Sequence, residues 1–180
     1  MIFLLDGPSA TGKSTLVRRL LEACPQLTFC PRLTTRPPRP DDQGDYQFVS
    51  PEEFQRRQRA GELALSRDFD FGMSYGLPRA PVDEALAQGR SVLALVDLGT
   101  APRARAIWPD CVTILLCAPL PELERRLRER GGHSEEQIAE RLGNAAAVLA
   151  STPDYDYVVV NRPPGPERAL KLLRYIVQTG

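Results

Sequence analysis

Apolar residues along the chain fall into two kinds of run. Residues 1–5, 91–98, 111–119 and 155–161 are short and nearly unbroken in their hydrophobic character. A run without a polar face suits a strand covered on both sides, as in a parallel sheet. Between these runs the spacing turns helical. Leu16, Leu20 and Leu21 share one face of a helix predicted over residues 13–23, stopped by Pro25. Residues 27–30 form a short strand. Ser50 then opens a helix as its N-cap, with Pro51 at the first position, Glu53 completing a capping box and Gly61 as the stop. Residues 63–67 and 73–77 are weaker strands, and residues 80–89 a short helix closed by Gly89. Two helices follow, over 119–131 and 134–151, separated by Gly131-Gly132; Ser134 and Gln137 form the second one's capping box. Residues 166–178 make the last helix. Strands alternating with helices define an α/β fold with a parallel sheet. Residues 31–46, rich in Pro, Arg and Asp, read as irregular structure. A polar loop with three arginines is a functional candidate.

The 180 residues are enough for one domain with a substantial core. Lys plus Arg equals Asp plus Glu at 23 each, so no global field points to a nucleic acid or a membrane. The basic residues are nevertheless grouped: Arg32, Arg36 and Arg39 early, and Arg125, Arg126, Arg128 and Arg130 late. Such a run by itself is a solvated helix face. Cys24, Cys30, Cys111 and Cys117 lack metal-ligand spacing and nearby histidines, which predicts buried, reduced thiols. The opening apolar stretch has no basic segment before it, and no run approaches the roughly 20 residues that span a bilayer. The expectation is a cytoplasmic chain.

Residues 7–14, Gly-Pro-Ser-Ala-Thr-Gly-Lys-Ser, match G-x-x-x-x-G-K-[ST] between a strand and an amphipathic helix. The spacing has a physical basis. A tight loop aims successive backbone N–H groups inward, and the helix N-terminus adds its dipole. Gly7 and Gly12 allow backbone geometry that a Cβ obstructs. Lys13 then reaches the β- and γ-phosphates of ATP, the Ser14 hydroxyl ligates Mg²⁺, and Pro8, Ser9, Ala10, Thr11 and Thr15 complete the ATP cradle. No N-K-x-D guanine-reading motif is present, which argues against a GTPase switch. A compact phosphotransferase remains, and it must also hold an acceptor anion.

The segments GPSATGKSTL, LTTRPPRP, GDYQFVS, Tyr75-Gly76, VDLG, ERRLRERG, IAERL and YDYVVVN occur in the order and spacing of guanylate kinases. The chain resembles that family over essentially its whole length. The resemblance implies a P-loop fold with a five-stranded parallel sheet and helices on both faces. Its core would be residues 1–31, 89–120 and 151–180, with an acceptor-binding insertion at 32–88 and a helical lid at 121–150. Arg36 and Arg39, with the hydroxyls of Tyr46 and Tyr75, resemble the acceptor-phosphate site, where planar guanidinium groups suit phosphate. Arg126, Arg130 and Arg141 resemble lid arginines that stabilise charge on the transferring phosphoryl group. Arg125 and Arg128 fit a solvated face better. Asn161 resembles the adenine-side residue, although Arg162 stands where an acidic neighbour is usual. His133, in the lid turn, is assigned no catalytic role, because an ionised phosphate oxygen needs no general base. Asp97, at the end of a buried strand, contacts acceptor or Mg²⁺-bound water, or else merely caps the strand. The Gly131-Gly132 turn would let the lid close and exclude water.

The chain departs from the family where guanine is read. Leu65, Arg32 and Leu77 stand where the family has a Glu, a Ser and a Ser or Thr. Guanine donors facing leucine would go unpaired, at about 1–3 kcal/mol each. The segments LALS and FGMSYGLP are similar to ribose 1,5-bisphosphate phosphokinases, whose acceptor carries no base. The phosphate-binding half is the guanylate-kinase version, so GMP is the leading acceptor, with Arg32 and Asp97 replacing the missing readers. Ribose 1,5-bisphosphate is the alternative, then a relaxed nucleoside monophosphate kinase. A non-catalytic protein-binding module is the rival from another class; such modules tend to lose the P-loop lysine that this chain keeps.

Overall fold

The structure, a computed structural model, describes residues 1–39, 42, 44–69, 72–97, 100–132, 134–150 and 152–180. Its strands are β1 (Ile2–Asp6), β2 (Leu27–Cys30), β3 (Arg32–Thr34), β4 (Tyr46–Phe48), β5 (Leu63–Asp68), β6 (Ser74–Pro78), β7 (Ser91–Leu95), β8 (Val112–Cys117) and β9 (Tyr157–Val160). The helices are α1 (Lys13–Ala23), α2 (Pro51–Arg59), α3 (Arg79–Ala87), α4 (Ala101–Ile107), α5 (Leu120–Arg130), α6 (Glu135–Ala150) and α7 (Glu167–Thr179), with a 3-10 turn at Thr152–Asp154.

A five-stranded parallel sheet runs in the order β2-β7-β1-β8-β9, as the apolar runs foretold. All five residues of β1 are buried, as are the last five of β8. That is why these segments carry no polar alternation. The edge strand β9 differs, with Tyr157, Val158 and Val160 exposed. A second sheet has the order β4-β3-β6-β5. It corrects the reading of residues 31–46 as irregular. Arg32, Leu33 and Thr34 are all buried in β3, which pairs with β4 in parallel and with β6 antiparallel. Partner strands distant in sequence supply the ladder, so local composition is overridden. Helix α4 and the 3-10 turn are further elements that the pattern did not reveal.

The chain divides into two compact units: Met1–Leu4 with Gln26–Cys111, and Leu5–Pro25 with Val112–Gly180. In the first, Ile2, Leu4, Leu65, Leu77, Val82 and Val92 belong to one buried cluster. The Trp108 indole N–H at its margin donates to Asp83 at 3.2 Å. In the second, Ala118, Leu123 and Ala145 are buried together, and Arg19 of α1 pairs with Glu167 of α7 at 3.1 Å.

Local signals account for the helix ends. Ser50 Oγ accepts from the Glu53 N–H at 3.2 Å, and Gly61 stops α2 with a φ of 70°. Ser134 and Gln137 exchange the two bonds of a capping box, at 3.1 and 3.3 Å. The four cysteines are free and buried, as expected. Burial pushes the Cys30 thiol up, and burial with the nearby Asp6 carboxylate does the same at Cys117. Among the described residues, no helix is long and apolar enough to cross a membrane.

Candidate active site

The loop between β1 and α1 begins against β8. A Cβ on Gly7, whose φ is 151°, would come within 2.2 Å of the Leu116 carbonyl oxygen, so only glycine lets the loop leave the sheet here. Ala10 is left-handed at φ 63°, and Gly12 follows at φ 92° as the residue before α1. A Cβ at Gly12 would meet Asn161 Nδ2 at 2.7 Å. The first turn of α1 holds no acidic residue and has no side-chain cap, which leaves its N–H groups open to an anion. Lys13 Nζ donates to the carbonyls of Gly7 at 2.5 Å and Pro8 at 2.8 Å. The ammonium is therefore folded over the loop. Thr11 Oγ1 donates to the Pro8 carbonyl at 2.9 Å and braces the turn from inside.

Three further side chains converge on this loop. Arg126 Nη1 reaches the carbonyls of Ala10 and Thr11 at 3.2 and 3.4 Å, while Nε is anchored on Glu122 at 2.7 Å. Arg141 Nη1 reaches Ser9 Oγ at 2.9 Å. Asn161 Nδ2 donates to the Thr11 carbonyl at 2.8 Å, and its buried Oδ1 has no hydrogen-bond partner. Arg130 lies exposed at the end of α5. Arg125 and Arg128 pair with glutamates, Arg125 with Glu122 and Glu129, Arg128 with Glu124 and Glu135, as a solvated face should. His133 lies outside the described residues. Two neighbours of the loop escaped the sequence reading. Asp6, buried at the end of β1, accepts from the Gly7 N–H at 2.5 Å and from the Tyr155 hydroxyl. A carboxylate ending an apolar strand was the available signal.

The acceptor candidates lie in the other unit: Arg32, Tyr46 and Tyr75 on the second sheet, Arg36 and Arg39 in the segment after β3, and Asp97 after β7. Arg36 is 5% exposed. Its Nη1 bonds the Pro37 carbonyl at 2.8 Å and Asp42 Oδ2 at 2.9 Å, and Nη2 pairs with Asp42 Oδ1. The Arg39 backbone N–H also donates to Asp42, at 2.6 Å. Burial opposes the charge on Arg36, but the bond to Asp42 and its Coulomb attraction outweigh it and hold the guanidinium above its ordinary value. Arg36 also lies 4.7 Å over the ring of Tyr46. Burial raises the Tyr75 phenol, and the negative field of Tyr46 adds to it. The sequence reading missed Asp42 as the partner of Arg36; its acidity beside three arginines was the clue.

Arg32, expected in a loop, is instead 3% exposed on β3. Its Nη1 lies 2.7 Å from Asp97 Oδ1, and Nη2 donates to Tyr46 Oη at 3.2 Å. Burial works against its charge, but Asp97 and Tyr46 more than offset that and raise its pKa. Asp97 is thus an ion-pair partner as well as a strand end: its backbone carbonyl accepts from the Thr100 N–H at 3.1 Å.

A strand–loop–helix phosphate cradle with its lysine folded inward, and with Arg126 on its carbonyls and Arg141 on its Ser9 hydroxyl, defines a P-loop phosphotransferase. The family model described as guanylate kinase matches residues 2–178, and the chain belongs to that family. It is 42% identical over 163 residues to a guanylate kinase of Thermosynechococcus vestitus, covering 89% of this chain and 85% of the relative. To that of Nocardia farcinica it is 43% identical over 164 residues, with the same two coverages. A crystal structure of guanylate kinase from Anaplasma phagocytophilum superposes with a TM-score of 0.78 at 28% identity, over 99% of this chain and 84% of that one. The protein is accordingly a nucleoside monophosphate kinase, of a family that takes its phosphoryl group from ATP.

Proposed function

We propose that the protein transfers the γ-phosphoryl group of Mg-ATP to GMP, forming ADP and GDP. The observation that carries this reading is the Arg36 fork, which holds a carboxylate bidentately on a buried guanidinium, as it would hold an acceptor phosphate. Arg36, Arg39, Tyr46 and Tyr75 bind the GMP phosphate. A non-bridging oxygen of that phosphate attacks the γ-phosphorus, and the bond to the β–γ bridging oxygen breaks, so ADP departs with the electron pair. The attacking oxygen is already ionised and needs no base. Residues 7–15 cradle ATP, with Lys13 on the β- and γ-phosphates. Arg126, Arg130 and Arg141 neutralise the phosphoryl group in transit. Asn161 offers its unpartnered Oδ1 to the adenine amino group.

The residues present fit Mg²⁺. Ser14 stands in the first turn of α1, and among the described residues no cluster of His, Cys, Asp and Glu could hold a metal ion by itself. Mg²⁺ commonly binds through substrate phosphates, waters and one or two protein oxygens. When bound it supplies neutralisation of the phosphate charge. A coupled ADP-release assay over GMP, dGMP, AMP, CMP, UMP and ribose 1,5-bisphosphate tests the function. Turnover of the sugar bisphosphate with none of GMP would overturn it.

A further inference from the structure

The acceptor reading leaves open how a base is recognised when the family's reader positions hold Leu65 and Leu77. Both leucines are buried, at 3% and 1% exposure, and both line a small cleft. Leu95 and Val96 add apolar wall, so the polar character of the cleft comes from Arg32, Asp97, Ser66 and Thr100. Two of these are already engaged. Ser66 Oγ accepts from Gln58 Nε2 at 3.1 Å, and Thr100 Oγ1 donates to the Asp97 carbonyl.

Arg32 is different. Its Nε is buried without a hydrogen-bond partner, while Nη1 is matched by the Asp97 carboxylate at 2.7 Å. The guanidinium packs against the rings of Tyr46 and Tyr75, 5.3 and 5.2 Å from their centroids. A buried donor left unmatched is costly, so the cleft is completed by an acceptor atom that a ligand brings.

The charge of the cleft narrows the ligand. Asp97 lies 2.7 Å from Arg32, so guanidinium and carboxylate cancel, and a second phosphate would meet the carboxylate as well as the guanidinium. A neutral aromatic edge with a carbonyl oxygen beside N–H donors matches both partners at once. Guanine presents this edge, with O6 as acceptor and N1–H and the 2-amino group as donors. Adenine has an amino group at position 6 and would turn a donor toward Arg32. We propose that Arg32 and Asp97 read the base as one unit, Arg32 donating to O6 and Asp97 accepting from N1–H and the 2-amino group. This deepens the GMP reading and rests on it.

The test uses wild type, Arg32→Met and the double variant Arg32→Met/Asp97→Asn, which leaves no lone charge in the cleft. Each is assayed for kcat/KM with GMP, IMP, AMP and the monophosphate of 2-aminopurine riboside, and its melting temperature is recorded. Wild type should prefer GMP to the 2-aminopurine nucleotide, which lacks O6 and N1–H, by about tenfold or more. Arg32→Met should cut the GMP-to-AMP preference by about tenfold or more without a matching loss on AMP, as should the double variant. Arg39→Ala, on the phosphate side, should weaken all four nucleotides alike. If wild type takes no nucleoside monophosphate, the GMP reading itself falls. If GMP is turned over but wild type does not discriminate against the 2-aminopurine nucleotide, or a folded variant keeps the wild-type preference, the pair is not the reader.

Discussion

The carboxylate of Asp42 sits in the guanidinium fork of Arg36, with the Arg39 backbone N–H as a third donor at 2.6 Å. Three donors around one anion are what an acceptor phosphate needs. An acceptor that uses Arg36 must therefore displace Asp42. Asp42→Ala is expected to lower the KM for GMP by about threefold or more with kcat unchanged, because the displacement is no longer required. Steady-state kinetics decides it, and a raised KM would mean that Asp42 holds Arg36 in place instead.

Acid should weaken this same pair. Its bond to Arg36 holds the Asp42 carboxyl below its ordinary value of 3.8, against opposing burial. Arg125, and then Arg126, similarly pull Glu122 down to about 2. A carboxylate depressed in the folded state contributes fully above its unfolded value. That contribution is lost as pH falls through the folded value. Melting curves between pH 5 and 2 should therefore steepen in wild type and flatten in Asp42→Asn and Glu122→Gln. Parallel curves in all three proteins would sink the idea.

Lys13 bonds the loop carbonyls of Gly7 and Pro8. Lys13→Ala should lower kcat by about a hundredfold or more and leave the melting temperature nearly unchanged. Near-full turnover in this variant would refute the ATP-site assignment.

Neighbouring arginines on α5 should part company. Arg125 is bonded to Glu122 and Glu129 on an exposed face, so Arg125→Ala should leave the melting temperature nearly unchanged and spare turnover. Arg126 bonds the loop carbonyls of Ala10 and Thr11, and Arg126→Ala should reduce kcat about a hundredfold. Equal effects from the two substitutions would contradict the assignment.

Gly7→Ala should be severe. The added carbon would clash with the Leu116 carbonyl oxygen at 2.2 Å, and backbone cannot swing aside as a side chain can. A loss of about 2–4 kcal/mol is expected, measured by urea unfolding. Wild-type stability would rule out the tight approach.

The ATP cradle and the parallel sheet were legible because their signals are local. Helix α1 has the expected bounds, since Gly12, Lys13 and the Leu16–Leu20 spacing need no distant partner. Strand β3 was hidden because its partners β4 and β6 lie elsewhere in the chain. The same holds for the cleft beside Arg32. Arg32 and Asp97 were each noticed, but their ion pair depends on a fold that brings β3 to the end of β7. Asp42 went unread as a partner because an aspartate in a Pro-rich segment looks like turn chemistry.

Leu65 and Leu77 stand opposite each other in the β5–β6 register. Changing either one alone to a polar residue sets an unmatched group against the remaining leucine, at about 1–3 kcal/mol. Changing both together lets the newcomers bond to each other or to a ligand. An altered acceptor preference is thus two substitutions away, across a step that each substitution alone makes worse. Random drift crosses such a step slowly. A lineage that has acquired this leucine pair stays with it, and a library meant to redirect the enzyme must vary both positions at once.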